Sequence, residues 1–589
     1  MNARWFFSEL KRRNVIRAAT FYAATAWLVV EAATQVLPVF AVDAWAVRWI
    51  VAAAVIGFPF GMAFAWLYEW TPAGIVRESE IAPGASVAHL TGKRLDRGII
   101  AVLALMLVLL LANKFVLHRE GGQIAEKSIA VLPLVNESGD PDTDYFSDGL
   151  SEELITALAQ NRGLKVIGRG SSFRFKGNAT DSATIGRKLG VGTLLEGTVR
   201  RQAGRVRISI ALVDAATGRQ SWSQTYDREL KDIFALQSEI ARAVADSLQV
   251  TLIGTATNAP RAVSTLDVGA HNAYLQGHFH LERNSFESWH KAVGFYDEAI
   301  RRDPNYALAY AERARAWVWI ASRNPPDVAA ARAAARSNAE RSVALGPALA
   351  EAHAALGWVR LYIDWNFAGA VTELRRAEQL APGSATANYQ LSQVLLYMGQ
   401  VEEGTTLARQ AVELDPLAYA ARNNLARALT VSGHYPEAEA QGRKAAELQP
   451  DAVAAHRWQV IGAVLRGDPD TALREAALET SQASVRGPTQ GFRHFEFALA
   501  YYTRGDRAQA DAALAELIAK DSDSMAYQIA EVYAWRGETD PAFEWLQRAF
   551  DTRDPGTLGT AVDPLLLGLR GDARFVALVE KLGLAESVR

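Results

Sequence analysis

A few groups of residues in this 589-residue sequence have types and spacing that could do chemistry. Asp140, Asp142 and Asp144 repeat the i, i+2, i+4 carboxylates of a calcium loop, but Tyr145 stands where such a loop needs glycine and Ser151 where it needs glutamate. The stretch reads instead as a solvated acidic loop, with Asp148 near the positive end of the helix that follows. Arg169, Arg174 and Lys176 surround Gly168 and Gly170 and could hold a phosphate or carboxylate. A lone GxG is a weak motif, so a solvated loop is the better reading. Ser171 and Ser172 have no nearby His or Lys in that motif to activate a hydroxyl. His278, His280 and His290 form a loose histidine group, in which an HxH pair could bind zinc on a strand. Here the pattern is helical, where i and i+2 diverge, and the pair reads as structural. With no cysteine in the chain, disulfides, thiolate metal centres and thiol nucleophiles are excluded. The sequence therefore offers no catalytic residue, no metal ligand set and no cofactor site.

The elements that would position these groups fall into three stretches. Lys and Arg total 62 against 65 Asp and Glu, a net charge of −3, so no global field favours nucleic acid. Three apolar runs lie before residue 118, at about 18–40, 49–70 and 98–117. The last, GIIAVLALMLVLLLANKFVL, would be about 30 Å long as a helix, the thickness of a bilayer's hydrocarbon core. Arg4, Lys11, Arg12, Arg13 and Arg17 precede the first run, and Arg77, Lys93, Arg94 and Arg97 precede the third. By the positive-inside rule this predicts a multi-pass protein of a bacterial inner membrane, with a cytoplasmic N-terminus and residues 119–589 in the periplasm. Glu31 inside the first run, where a charge costs about 3 kcal/mol, reads as neutral or bonded to Gln35 one turn on. Gly57, Pro59 and Gly61 in the second run read as a kink.

Residues 119–256 predict an α/β layer in the order β-α-β-α-β-β-β-α. Ser128–Leu134 is a short buried strand, Leu150, Leu154, Ile155 and Leu158 share a helix face, and Val206, Ile208, Ile210 and Leu212 alternate with exposed positions at period two. Residues 257–589 predict an all-α solenoid. Pro304, Pro347, Pro382, Pro416 and Pro450 lie 43, 35, 34 and 34 residues apart, and the small and large positions within the last units recur in step. About eight repeats follow, irregular around Gln482 to Gly491, with Leu569, Phe575, Leu578 and Leu582 closing the last. If each first helix starts three residues past its proline, Tyr389, Gln393, Asn423, Arg427 and Arg457 line an inner groove for a protein partner.

The segments FFSELKRRNVIRAATFYAATAWLVVE and GFPFGMAFAWLYEWTPAGIVRESE, with SIAVLPLVNESGDPDTDYFSDGLSEELITAL, VIGRGSSFRFKGN and LGVGTLLEGTVRR, resemble a bacterial family of membrane-anchored proteins. In that family a membrane module precedes a TolB amino-terminal-like α/β domain and tetratricopeptide repeats. Relatives of the α/β domain also occur joined to class III adenylate cyclase or winged-helix domains. The resemblance implies a non-catalytic envelope or sensory module with no assigned ligand or cofactor. No stretch is left over that could hold a cyclase domain of ordinary size. The expected function is a non-enzymatic interaction scaffold or sensory protein with protein partners, the inner membrane and no nucleic acid. The alternative is a regulatory membrane subunit of a separate cytoplasmic cyclase or kinase.

Overall fold

The computed structural model describes residues 44–71, 74–77, 127–140, 143–161, 163–202, 204–230, 233–248, 265, 267–283, 285–323, 327–479, 482–484 and 487–585, with isolated positions between 15 and 30. The chain divides into two compact units, Met1–Gln123 and Ile124–Arg589.

In the first unit, helix α1 (Ala44–Leu67) carries Pro59 within it and stops where β1 (Tyr68–Thr71) pairs antiparallel with β2 (Gly74–Arg77). The Tyr22 hydroxyl donates to the Ala54 carbonyl at 3.0 Å, and its ring meets Phe58 edge-on at 5.7 Å. Among the described residues no helix is long and apolar enough to cross a membrane. This overturns the expected three transmembrane helices and, with them, the multi-pass inner-membrane location and the periplasmic placement of residues 119–589. In the second run the helix stops at Leu67, and the residues that follow turn into the β1–β2 hairpin. The predicted span at 98–117 lies outside the described residues, as do Glu31 and most of the first run.

The second unit is mostly helical, with a small mixed sheet at its start. Strands β3 (Ser128–Val131), β4 (Val135–Asn136), β5 (Lys165–Val166), β6 (Thr193–Gln202), β7 (Arg205–Asp214) and β8 (Gln220–Glu229) form one sheet. Its order is β5-β3-β6-β7-β8, with β4 beside β6. The pairs β3–β5, β3–β6 and β4–β6 are parallel, whereas β6–β7 and β7–β8 are antiparallel. Period-two alternation buries Val206, Ile208, Ile210 and Leu212 on one face of β7, and Arg205 and Arg207 on the other face share Asp227. Helices α2 (Asp144–Ala159) and α5 (Ile233–Ser247) cover the buried face with Leu150, Leu154, Leu158, Leu236, Ile240 and Val244. A short turn of helix, α3 (Arg169–Ser172), and α4 (Ser182–Leu189) lie between β5 and β6; α4 is capped by the Asp181 side chain and ended by Gly190 in the left-handed conformation.

Eight helix pairs follow among the described residues: α6/α7 (Val268–Leu281, Phe286–Arg302), α8/α9 (Ala307–Ser322, Val328–Leu345), α10/α11 (Ala350–Tyr362, Phe367–Leu380), α12/α13 (Ala385–Tyr397, Val401–Leu414), α14/α15 (Tyr419–Val431, Tyr435–Leu448), α16/α17 (Arg457–Leu465, Pro469–Leu478), α18/α19 (Gly491–Arg504, Arg507–Asp521) and α20/α21 (Ala526–Trp535, Thr539–Thr552). A hairpin, β9 (Gln482–Ser484) with β10 (Gly487–Thr489), interrupts the array before α18. Ala370, Ala377, Ala408, Ala411, Ala438 and Ala445 are fully buried where facing helices approach, and α22 (Ala573–Lys581) buries Phe575 and Leu578 against the last pair. The 34-residue step and this pairing make the array a tetratricopeptide solenoid.

Candidate functional site: the inner helix row and the junction behind it

Successive first helices touch one another along the array, so α10, α12, α14, α16, α18 and α20 form its inner row. Four of the five predicted groove residues sit on α12 and α14. Tyr389 is half-buried with its ring 6.1 Å from Trp358, and burial pushes its hydroxyl up to about 12. The Gln393 amide donates to the Tyr397 hydroxyl at 3.4 Å, and Arg427 lies 4.7 Å over the same ring while donating to Asn424 at 2.6 Å. Tyr397 thus brings Gln393 and Arg427 together. Asn423 is half-buried and pairs with no described residue. Arg457 behaves differently. Residues 451–456 form turns with Ala454 at φ +56°, so α16 begins seven residues past Pro450 instead of three. Arg457 is therefore the first residue of its helix, and its guanidinium meets Glu531 at 2.7 Å among Trp458, Phe492 and Phe495.

Behind the inner row, the α/β layer docks on the repeats through contacts that run from the first repeat to the fifth. Glu152 of α2 receives Arg169 at 2.9 Å and His278 of α6 at 2.8 Å, and His278 also faces Glu312 of α8 at 3.4 Å. Arg315 completes the network with Glu312 at 2.7 Å and Glu282 at 3.5 Å. Burial alone would raise the Glu152 carboxyl, but the charges of His278 and Arg169 prevail and hold it at about 2. Burial alone would lower His278, but Glu152, aided by Glu312 and Glu282, drives it up to about 10. His280 points elsewhere and stacks on Phe295 at 5.3 Å, while His290 bonds the Phe286 carbonyl at 2.9 Å. The three histidines do not converge.

The Gly168–Ser172 loop, read from sequence as solvated, packs against the repeats and buries Ser171 and Ser172, and the carboxylate it holds belongs to the chain itself. Asp415, at the end of α13, accepts from the Gly170 amide at 3.2 Å, from the Ser171 amide at 2.6 Å and from the Ser171 hydroxyl. That hydroxyl in turn accepts from the Leu417 amide at 2.7 Å, and the Gly168 amide donates to the Leu414 carbonyl at 2.7 Å. A β-carbon at Gly168 or Gly170 would come within 2.7 or 2.8 Å of the Asp415 carboxylate, so both positions need glycine. Arg174 donates to the Leu448 carbonyl at 2.6 Å, and the Gly383 amide to that of Ala159 at 3.2 Å. In the acidic loop, Lys176 pairs with Asp148 at 2.7 Å and Asn136 donates to Asp144 at 2.8 Å; Asp142 lies outside the described residues. Among the described residues no cluster of His, Asp and Glu is arranged to hold a metal ion.

No family model matches this chain. It is 38% identical over 187 residues to "Putative adenylate cyclase 3" of Rhizobium meliloti (strain 1021), a match that covers 32% of each, so the chain spans about a third of that relative's length. Similar solved structures include the MamA protein, at 21% identity with a TM-score of 0.22 over 31% of this chain and 93% of that one. A thermophilic TPR protein of Thermus thermophilus gives 20% identity and a TM-score of 0.27 over 36% of this chain and 98% of the other. YrrB, a TPR protein with an unusual peptide-binding site, gives 23% identity and 0.22 over 31% and 90%. At these scores the assignment of the solenoid rests on its own 34-residue geometry.

Proposed function

We propose that this chain is a non-enzymatic interaction scaffold that holds an extended protein segment along the inner faces of α12 and α14. The observation that carries this reading is the side-chain cluster on that row. Asn423 has no partner among the described residues; Arg427, one turn on, meets Gln393 around Tyr397, and Tyr389 lies one turn before Gln393 on α12. An amide next to a guanidinium suits the backbone or a carboxylate of a bound segment. The α/β layer, similar to a TolB amino-terminal-like domain, buttresses the array and takes no part in chemistry. Photo-crosslinking from position 386, an exposed residue of α12 one turn before Tyr389, in the full-length protein, read by mass spectrometry, tests the proposal. A discrete partner peptide that Asn423→Ala with Arg427→Ala reduces about tenfold is the expected result, matching the loss of one or two charge-assisted bonds. Crosslinks that ignore those substitutions would remove the groove. The name of the Rhizobium relative raises cyclase activity as the rival reading, and formation of cyclic AMP from ATP by the purified full-length chain would overturn the non-enzymatic one.

A further inference from the structure

The repeats themselves supply a control for one unusual residue. In five of them the turn between paired helices passes through a left-handed glycine: Gly399, Gly433, Gly467, Gly505 and Gly537, with φ between +70° and +86°. In the third repeat the residue one 34-residue step before Gly399 is Trp365, held at φ +57° despite its β-carbon. Its indole meets Phe550 edge-on at 5.6 Å and lies 4.9 Å beneath the guanidinium of Arg553. Arg553 is strained in the same way, at φ +56°, and donates to the Ile363 carbonyl. Two strained side chains, one from the third repeat and one from the end of the eighth, therefore meet. Strain of this kind persists where surrounding structure enforces it, and it gathers at binding sites.

A cavity of about 580 Å³ opens at this meeting point, lined by Arg332, Trp365, Phe550, Asp551, Thr552 and Arg553. Elsewhere on the array, exposed arginines bridge to a carboxylate of a neighbouring element: Arg336 to Asp364, Arg375 to Glu403, Arg409 to Glu437. Arg332, one turn before Arg336, has no hydrogen bond or ion pair with any described residue. Burial pushes its pKa down, and the charge of Arg553 pushes in the same direction. The one carboxylate in the lining, Asp551, accepts from Gln547 at 2.8 Å. The cavity thus holds two guanidinium groups, one carboxylate and two aromatic faces, in a volume typical of small-molecule sites.

We propose that this cavity binds an aromatic monocarboxylate, with the acid between Arg332 and Arg553 and the ring against Trp365 and Phe550. A net charge of +1 in the lining matches one carboxylate, and Asp551 at the rim repels a phosphate dianion. The same chemistry is offered by a free aromatic acid and by the terminal residue of a peptide. Isothermal titration of the full-length protein with indole-3-acetate and with the tripeptide Gly-Gly-Phe, each beside its amide, distinguishes the two. Binding of either acid about tenfold tighter than its amide supports the site, and the tighter of the two acids names the source. Arg332→Gln should weaken the acid about tenfold and leave the amide unchanged, with Arg332→Lys in between. Trp365→Gly installs the residue five sister repeats use and should remove binding while the thermal midpoint holds; if that variant fails to fold, the Arg332 pair decides alone. Equal binding of acid and amide, indifference to Arg332→Gln, or displacement of the acid by equimolar inorganic phosphate would overturn the proposal.

Discussion

At the scale of single residues, the junction between sheet and repeats concentrates opposed pKa shifts in one contact. Folding moves His278 from its ordinary 6.5 to about 10 and Glu152 from 4.5 to about 2. A raised cation contributes stability that is complete below its unfolded value and is lost as pH climbs toward its folded one; a depressed carboxylate contributes above its unfolded value and fades as pH falls. The pair is therefore strongest between pH 4.5 and 6.5, its histidine limb decays from 6.5 toward 10, and its carboxylate limb from 4.5 toward 2. His278→Gln should cost about 3 kcal/mol at pH 6, because it leaves half-buried Glu152 with Arg169 alone and buried Glu312 with Arg315 alone. Most of that cost should vanish by about pH 9.5, where the wild type has lost most of the same stabilisation. Denaturant midpoints of both proteins at the two pH values check this, and an equal cost at each would mean that His278 acts by shape alone.

At the scale of elements, what could be read from the sequence was whatever repeats. Alternation at period two located β7, and buried Val206, Ile208, Ile210 and Leu212 match it residue by residue. The 34-residue prolines located the helix pairs, and the register placed Tyr389 and Asn423 five residues into α12 and α14. Contacts without a period were hidden. Asp415 and Ser171 are 244 positions apart, and nothing in either segment announces the other. The one available signal was Gly168 and Gly170, which mark a close approach without saying to what. Arg457 lands at the start of α16, not one turn into it, for a related reason: six residues of turn after Pro450 reset the helix phase. The second apolar run misled at its end, because mean hydropathy does not see that residues 68–71 pair with 74–77. Gly170→Ala tests the element-level account. Its β-carbon would press on the Asp415 carboxylate at 2.8 Å and Ala418 at 3.0 Å, so the loop should lift, at a cost of about 2 kcal/mol. Faster amide hydrogen exchange at Ser171 and Leu417, with the far end of the array unchanged, is the expected signature; unchanged exchange at both would mean that the loop tolerates a side chain and the docking is loose.

At the scale of the whole molecule, the question is whether residues 124–589 behave as a chain of independent repeats or as one body. A solenoid in which each repeat touches only its neighbours unfolds piecemeal, since no contact ties distant units together. Here the α/β layer crosses that rule. It bonds the first repeat at His278, which itself faces Glu312 of the second, then the turn from the third into the fourth at Gly383, the end of the fourth at Asp415 and the end of the fifth at Leu448. The array's far end adds a second long-range tie where Arg553 reaches the Ile363 carbonyl of the third repeat. Loss of the first, fourth or fifth repeat would therefore strip a contact from the layer, and loss of the layer would strip contacts from each of them. This predicts a single denaturant transition for the folded body, with tryptophan fluorescence and far-ultraviolet dichroism coincident. Asp415→Ala removes the carboxylate that satisfies two backbone amides and a hydroxyl, at a cost of about 3 kcal/mol. It should also separate the two signals, because the fourth repeat is then released while the ion network on the first two still holds. Separate transitions already present in the unaltered protein would show that the layer rides on the array without clamping it.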